Sequence, residues 1–314
     1  MRALFLVNPL AGGRGNRRAV ETALARFDAA GWNTTTVRTV TPQHAGELIE
    51  SAHGEGYDLL IVAGGDGTVH RAVQHLPLGS YEEPSKLPFA IFPLGSGNDF
   101  FRGTGAPRDH EGAAENIVRG RAVPIDIGVC EPISESGEPR AEGSVRFINT
   151  AGVGMDSQTL ATRERAPARL SARYELLFLM TLMRLYPLRV SMKSDDWDLD
   201  VDAYWVLCCN SGYIGSGMRV APDAKINDGL FDVLIIEKMS KWKFIANLPR
   251  VFKATHLQMD GVEIRPARTL TLKCEPNQRV ATDGDRACEG PVRIKMLPGA
   301  VSLWTSRLGG EKVE

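Results

Sequence analysis

The chain has 314 residues, 43% hydrophobic and 24% charged, with a formal net charge of -1. That length suits one large or two medium domains, each with its own core, and the near-neutral balance excludes the strong positive field of a nucleic-acid binder. The five cysteines, Cys130, Cys208, Cys209, Cys274 and Cys288, form no CxxC pair and no zinc-like spacing, so free thiols in a reducing compartment are expected.

The apolar start at 3–7 is too short for a secretory leader and lacks a small-residue cleavage site. The most apolar stretch, 174–188, is interrupted by Arg184 and Pro187 and falls short of the ~20 residues a bilayer span needs. A cytoplasmic protein, soluble or loosely held at a membrane surface, is expected.

Residues 3–7 read as a buried strand, followed by a Gly-rich turn and a helical pattern through Ala19, Leu24 and Phe27. A β-branched run at 34–40 reads as a strand and 44–53 as a helix; 59–63 is a second buried strand, 69–76 a helix and 89–93 a further strand. Strands alternating with helices predict a parallel, Rossmann-like sheet covered on both faces, with ligands outside the carboxyl ends of its strands. The pattern changes near Pro124. Short β-rich runs at 125–129, 146–150, 188–193, 203–210, 229–236, 262–265 and 269–273 predict a mainly antiparallel β-sandwich or barrel. Helical stretches near 174–186 and 241–255 interrupt it. The expected division is an α/β domain over 1–124, to which 295–314 returns, and a β-rich acceptor domain over 125–294.

Three Gly-rich turns sit at carboxyl ends of the predicted parallel strands. The strongest is Gly64-Gly65-Asp66-Gly67-Thr68. Its glycines let the backbone approach phosphate oxygens, and amides opening the next helix suit an anion. Asp66 is better suited to a metal ion or a hydroxyl than to phosphate itself; the plainer alternative is a strand-to-helix turn capped by Asp66. The second turn, Asn8-Pro9-Leu10-Ala11-Gly12-Gly13-Arg14-Gly15, is neither a Walker A loop nor a complete GxGxxG fingerprint. Asn8 offers an amide to a ribose, a base or a neighbouring loop. The third, Pro93-Leu94-Gly95-Ser96-Gly97-Asn98-Asp99-Phe100, brings a second carboxylate toward Asp66, or simply caps a helix with Asp99.

Together these loops resemble the diacylglycerol kinase catalytic superfamily, and within it the bacterial soluble lipid kinases related to sphingosine and ceramide kinases. The resemblance runs in family order through Asn149-Thr150-Ala151-Gly152-Val153-Gly154-Met155-Asp156, then Ala221-Pro222-Asp223-Ala224-Lys225-Ile226-Asn227-Asp228-Gly229-Leu230-Phe231-Asp232, and ends at Thr282-Asp283-Gly284-Asp285. It implies an ATP- and Mg²⁺-dependent kinase that phosphorylates a diacylglycerol-like lipid hydroxyl. It places Asn8, Pro9, Gly12, Thr39, Gly64, Gly65, Asp66, Gly67, Thr68 and Ser96 where the family contacts ATP. Asp66 and Asp99 fall at its functional aspartates, and Asp228 with the main-chain oxygens of Lys225 and Leu230 at a structural metal site. Asp285 stands where the family's DGE motif has its catalytic glutamate, and would be the base that activates the acceptor hydroxyl. Aspartate reaches about one methylene less, which brings Asp283 and Glu289 in as substitute bases. A second departure is His70-Arg71, where the family often has asparagine and glutamate; it implies added positive charge beside the phosphates. The implied partners are a lipid substrate and a transient membrane surface, without nucleic acid; a homodimer stays open. Competing readings are an NAD or sugar kinase with a GGDGT loop, and a low-turnover nucleotide- or lipid-binding regulator.

Overall fold

A computed structural model describes residues 1–13, 16–134, 136–140, 142–167, 174–284 and 286–313, the side chains at 174, 175, 286 and 287 excepted. The chain opens with β1 (Arg2–Val7), α1 (Asn16–Ala29), β2 (Asn33–Arg38), α2 (Pro42–Ala52), β3 (Leu59–Gly64), α3 (Asp66–Val73) and β4 (Phe89–Pro93). The four strands are parallel, in the order β4-β3-β1-β2. Strands β3 and β4 are buried along their whole length, as their continuous apolar runs require when helices cover both faces. From β1 the chain winds one way to β2, then returns to β3 on the other side. That reversal opens a crevice at the carboxyl ends of β1 and β3. Asn8 and Gly65-Asp66 occupy it, and the Asn8 amide donates to the Ala63 carbonyl (2.9 Å).

After α4 (Asp99–Gly103) and α5 (His110–Val118), the long strand β5 (Arg121–Pro132) leads into the second half. This contains β6 (Val145–Phe147), β7 (Thr150–Gly154), α6 (Met155–Arg165), α7 (Tyr174–Arg184), β8 (Leu188–Ser194), β9 (Asp198–Cys209), the two-residue strands β10 (Tyr213–Ile214) and β11 (Met218–Arg219), and β12 (Phe231–Glu237). It continues with α8 (Lys241–Asn247), α9 (Pro249–Phe252), β13 (Val262–Ala267), β14 (Thr269–Glu275), β15 (Val280–Thr282), β16 (Arg286–Cys288) and β17 (Val292–Thr305). The pairing is antiparallel along β16-β15-β7-β9-β8-β14-β17, with β12 and β13 branching from β9.

Side-chain alternation explains the apolar density of β9 and β12. Val206, Cys208, Val233 and Ile235 fill one core between the strands, while Trp205, Leu207, Leu234 and Ile236 face a second core under α7 and α8. All five cysteines are free and buried.

Strand β17 joins the two halves. It pairs with β14 at one end, follows β5 along its length, and meets β4 in parallel at Leu303↔Phe89. Register breaks between Leu297 and Val301. There the fully buried Asp126 of β5 accepts from the Gly299 amide (2.8 Å), the Gly229 amide (2.7 Å) and the Tyr81 hydroxyl (2.7 Å). Three donors are what a buried carboxylate needs to offset its lost hydration.

Three element expectations are corrected. The helix read from 69 begins at Asp66, because Gly65 rather than Asp66 is the N-cap. The single helix read over 241–255 is two, because Pro249 starts a new one. The strand read over 146–150 is two, β6 and β7, separated by Ile148 and Asn149.

Candidate active site

Two cavities open beside the GGDGT loop. The first is about 460 Å³ and is lined by Asn8, Pro9, Thr39, Thr68 and Arg71, with Leu10 and Val40. The second, about 260 Å³, is a cleft between the two halves, lined by Asp66, Ser96, Asp99, Asn149, Asp156 and Asp283 among others. Thr68 lies in one and Asp66 in the other, so the loop is their shared wall. Asn8 Nδ2 donates to Thr68 Oγ1 (2.8 Å), and Asn8 Oδ1 accepts from the Leu10 amide (3.0 Å). Asn8 thus contacts the neighbouring loop while also lining the larger cavity.

Glycine is required where the loops touch. A Cβ on Gly95 would lie 2.5 Å from Gly65 Cα, and one on Gly12, whose φ is +73, would lie 2.6 Å from the Leu94 carbonyl oxygen. The third loop is folded on itself by Asn98, left-handed at φ 49, whose Oδ1 accepts from the Gly95 amide (3.0 Å). Asn98 is therefore the N-cap of α4, which leaves Asp99 free of a capping duty and turned into the cleft.

Asp66 and Asp99 converge. Asp66 Oδ1 accepts from the Asp99 amide (2.7 Å), and Asp99 Oδ2 accepts from the Ser216 amide (2.8 Å). A Cβ on Gly97 would sit 2.9 Å from Asp66 Oδ2 and 3.5 Å from Asp99 Oδ2. The absent side chain leaves a small space between two carboxylates. Burial, then the neighbouring Asp99 charge, pushes the Asp66 carboxyl up to about 6. Burial also raises Asp99, although the Ser216 amide and Arg102, 3.7 Å from Oδ1, work the other way. Asp99 Oδ1 has no hydrogen-bond partner among the described residues.

Asp283 plays a different part from a base. Its Oδ1 accepts from the amides of Asn149 and Thr150 (2.9 Å each), and its Oδ2 from the Ile148 amide (3.1 Å) and His70 Nδ1 (2.8 Å). Four donors saturate this buried carboxylate. His70 is itself fully buried, faces Asp283 and lines neither cavity; it joins α3 to the turn after β15. Arg71 lines the larger cavity. Glu289 is exposed, 4.0 Å from Arg279 Nε, and is not among the residues lining the cleft. Asp285 lies outside the described residues, as do Arg14 and Gly15.

Lys225, Asp228 and Leu230 stand apart from this cleft, on the exposed loop before β12. Asp228 Oδ1 accepts from the Leu230 amide (3.1 Å). Nearby Asp232 is pushed up to about 6 by burial and by the charges of Asp228 and Asp223.

Sequence reading gave no role to Asp126, to the Ser216 amide, or to Asp156. Asp126 had a signal, a lone carboxylate between Ile125 and Ile127 in a strand; the Ser216 contact had none. Asp156 opens α6 at the cleft, and burial pushes its carboxyl up to about 6 against the lowering effect of the Trp205 indole. Between pH 4 and 6 the folded carboxyl therefore holds a proton that the unfolded chain releases, so stability falls as pH rises through that window. Asp156→Asn is expected to raise Tm by roughly 2–4 °C at pH 8, with the gain vanishing near pH 4 in thermal melts.

The diacylglycerol kinase catalytic domain matches residues 2–130, and the YegS C-terminal NAD kinase beta sandwich-like domain matches residues 149–305. A diacylglycerol kinase of Mycobacterium tuberculosis is 31% identical over 97% of this chain and 95% of its own, and one of Bacillus subtilis is 28% identical over 95% and 92%. The fold matches the crystal structure of a diacylglycerol kinase from Bacillus anthracis at a TM-score of 0.70, with 21% identity and 96% of both chains covered. Identity at full length, and two domain matches that fall on the two halves flanking the cleft, place this chain in the diacylglycerol kinase family, whose members are kinases.

Proposed function

We propose that the protein transfers the terminal phosphoryl group of ATP to a lipid hydroxyl of the diacylglycerol type. The observation that carries this reading is the convergence of Asp66 and Asp99 on the space left by Gly97, in a cleft walled by both halves of the chain. The larger cavity takes the nucleoside, with Asn8, Pro9, Thr39 and Thr68 around it, and Gly64 through Thr68 with Gly12 and Ser96 follow the phosphates into the cleft.

Two crowded carboxylates with raised affinity for protons, one with an orphaned oxygen, fit a divalent cation. Mg²⁺ bound there supplies charge neutralisation to the transferring group. The chain's own residues do the rest: the glycine loops fix the phosphates in line, Asp285 accepts the proton of the attacking hydroxyl, and the closed cleft limits loss of the phosphoryl group to water. A second cation at Asp228 and the main-chain oxygens of Lys225 and Leu230 is supported by the acidic crowding that raises Asp232. The division into 1–124 with 295–314, and 125–294, is supported by the register of β17. Among the described residues no helix is long and apolar enough to cross a membrane, which agrees with a cytoplasmic enzyme that meets its lipid at the surface. A homodimer has no bearing on this chemistry.

The test is [γ-³²P]ATP with extracted lipids and, separately, with NAD, products identified by mass spectrometry. Phosphorylated lipid is expected. Label appearing only in NADP, or bound ATP without any product, would replace this reading with the nucleotide-kinase or the regulator reading respectively.

A further inference from the structure

Helix α7 has two apolar faces. Leu177 and Leu182, with Leu185 just beyond, are buried, and Leu182 and Leu185 belong to the core under the sheet. Leu176, Leu179 and Met183 point the other way and are 39%, 55% and 58% exposed. Their spacing of three and four residues aligns them in one stripe. At the end of that stripe Lys241 Nζ donates to the Met183 carbonyl (2.6 Å), which brings α8 alongside. Trp242, next in sequence, is 72% exposed, while Phe244 on the same helix is buried.

The charges in these segments are predominantly basic. In a chain with 37 basic and 38 acidic residues, Glu175 at the start of α7 is the one acidic residue in 174–194 and 238–259, whereas Arg184, Lys241, Lys243, Arg250 and Lys253 lie within them. Leu10 and Val40, the two most exposed large apolar residues among those described, line the nucleoside cavity. The α7 stripe and Trp242 line no such cavity.

We propose that this face of α7, with Trp242 and its basic rim, docks on an anionic lipid bilayer. Leucine, methionine and tryptophan side chains partition into the headgroup boundary, and lysine and arginine beside them pair with lipid phosphates. Exposed apolar groups grouped on one face, in segments where basic residues predominate, complement such a surface on both counts. The location also suits the task, in so far as it rests on the lipid-kinase reading. Helix α7 packs on α6 through Thr181 Oγ1 and Thr162 Oγ1 (3.1 Å), and α6 carries Asp156 and Arg163 into the cleft. The docked face thus lies behind the helix that walls the acceptor side.

The experiment is co-sedimentation of the full chain, without nucleotide, with phosphatidylcholine vesicles with and without phosphatidylglycerol. The wild type is expected to bind the anionic vesicles, more weakly as salt rises. The double variant Leu179→Glu/Met183→Glu is expected to lose at least about tenfold in that binding, with an unchanged melting temperature and an unchanged thermal shift by Mg-ATP. Lys241→Ala/Lys243→Ala is expected to lose binding to anionic vesicles alone. Equal binding by wild type and the Glu variant, or none by wild type, overturns the proposal. So does a dimer that the Glu variant splits in light scattering while vesicle binding persists, which would make this face a self-association surface. Vesicle binding without turnover on any lipid would overturn the kinase reading and leave the docking surface standing.

Discussion

Asp66→Asn is expected to lower kcat/KM for ATP on the order of 10³-fold, about 4 kcal/mol of transition-state stabilisation, while leaving the protein as stable as the wild type or more so. The two effects share one cause. In the free protein Asp66 is a carboxylate forced into a site poor in water and beside Asp99, and its affinity for a proton rises to about 6 as a result. At neutral pH that charge costs folding energy. Asparagine keeps an oxygen to accept from the Asp99 amide and removes the charge. The loop should hold its shape, and the held cation should be lost. Circular dichroism melts and ATP-dependent turnover measured on the same preparation check this. A variant that keeps activity within tenfold, or loses it only in step with a lower Tm, sinks the assignment of Asp66 to the cation. Sites built from repelling groups commonly carry this penalty in stability.

How much of this was legible in the sequence depends on the distance each feature spans. Strands β1, β3 and β4 announce themselves as apolar runs because a parallel sheet buried on both faces admits little else. The glycine loops follow from the same local logic, and the crossing of Gly65 with Gly95 gives them a tertiary reason that spacing alone does not. The split at Pro249 was available from the proline itself. The two faces of α7 were not: eleven residues almost all apolar give no amphipathic contrast, and only the packed core distinguishes Leu177 from Leu176. His70 was read from its neighbours along the chain as an added charge near phosphate. Its partner is 213 residues away, and burial rather than local sequence decides what it does.

That partnership yields the second large effect. Asp283 gathers the amides of three consecutive residues, Ile148 to Thr150, and the His70 ring, and its own amide donates to the Thr150 carbonyl (2.8 Å). It does so with φ 47, a left-handed conformation that aspartate tolerates better than most residues. The turn after β15 is thereby pinned to the start of β7 on one side and to α3, the helix of the GGDGT loop, on the other. Asp285, the proposed base, follows two residues later in the chain. Asp283→Ala would leave three amides and an imidazole buried without an acceptor, a loss of about 3–5 kcal/mol, read as a fall in Tm of roughly 10 °C.

His70 gives the finer test, because it can be changed without emptying the pocket. His70→Asn keeps a donor to Asp283 and restores the residue the family often carries; it should fold and turn over within about threefold of wild type. His70→Leu removes the donor, lets the turn shift relative to the loop, and should cut kcat up to ~10²-fold, the scale of a 1 Å misplacement, with a smaller change in KM for ATP. A purely structural role would instead lower Tm in both variants and leave kcat per folded molecule intact. That outcome would detach the nucleotide loop from the proposed base and remove His70 from the account of catalysis.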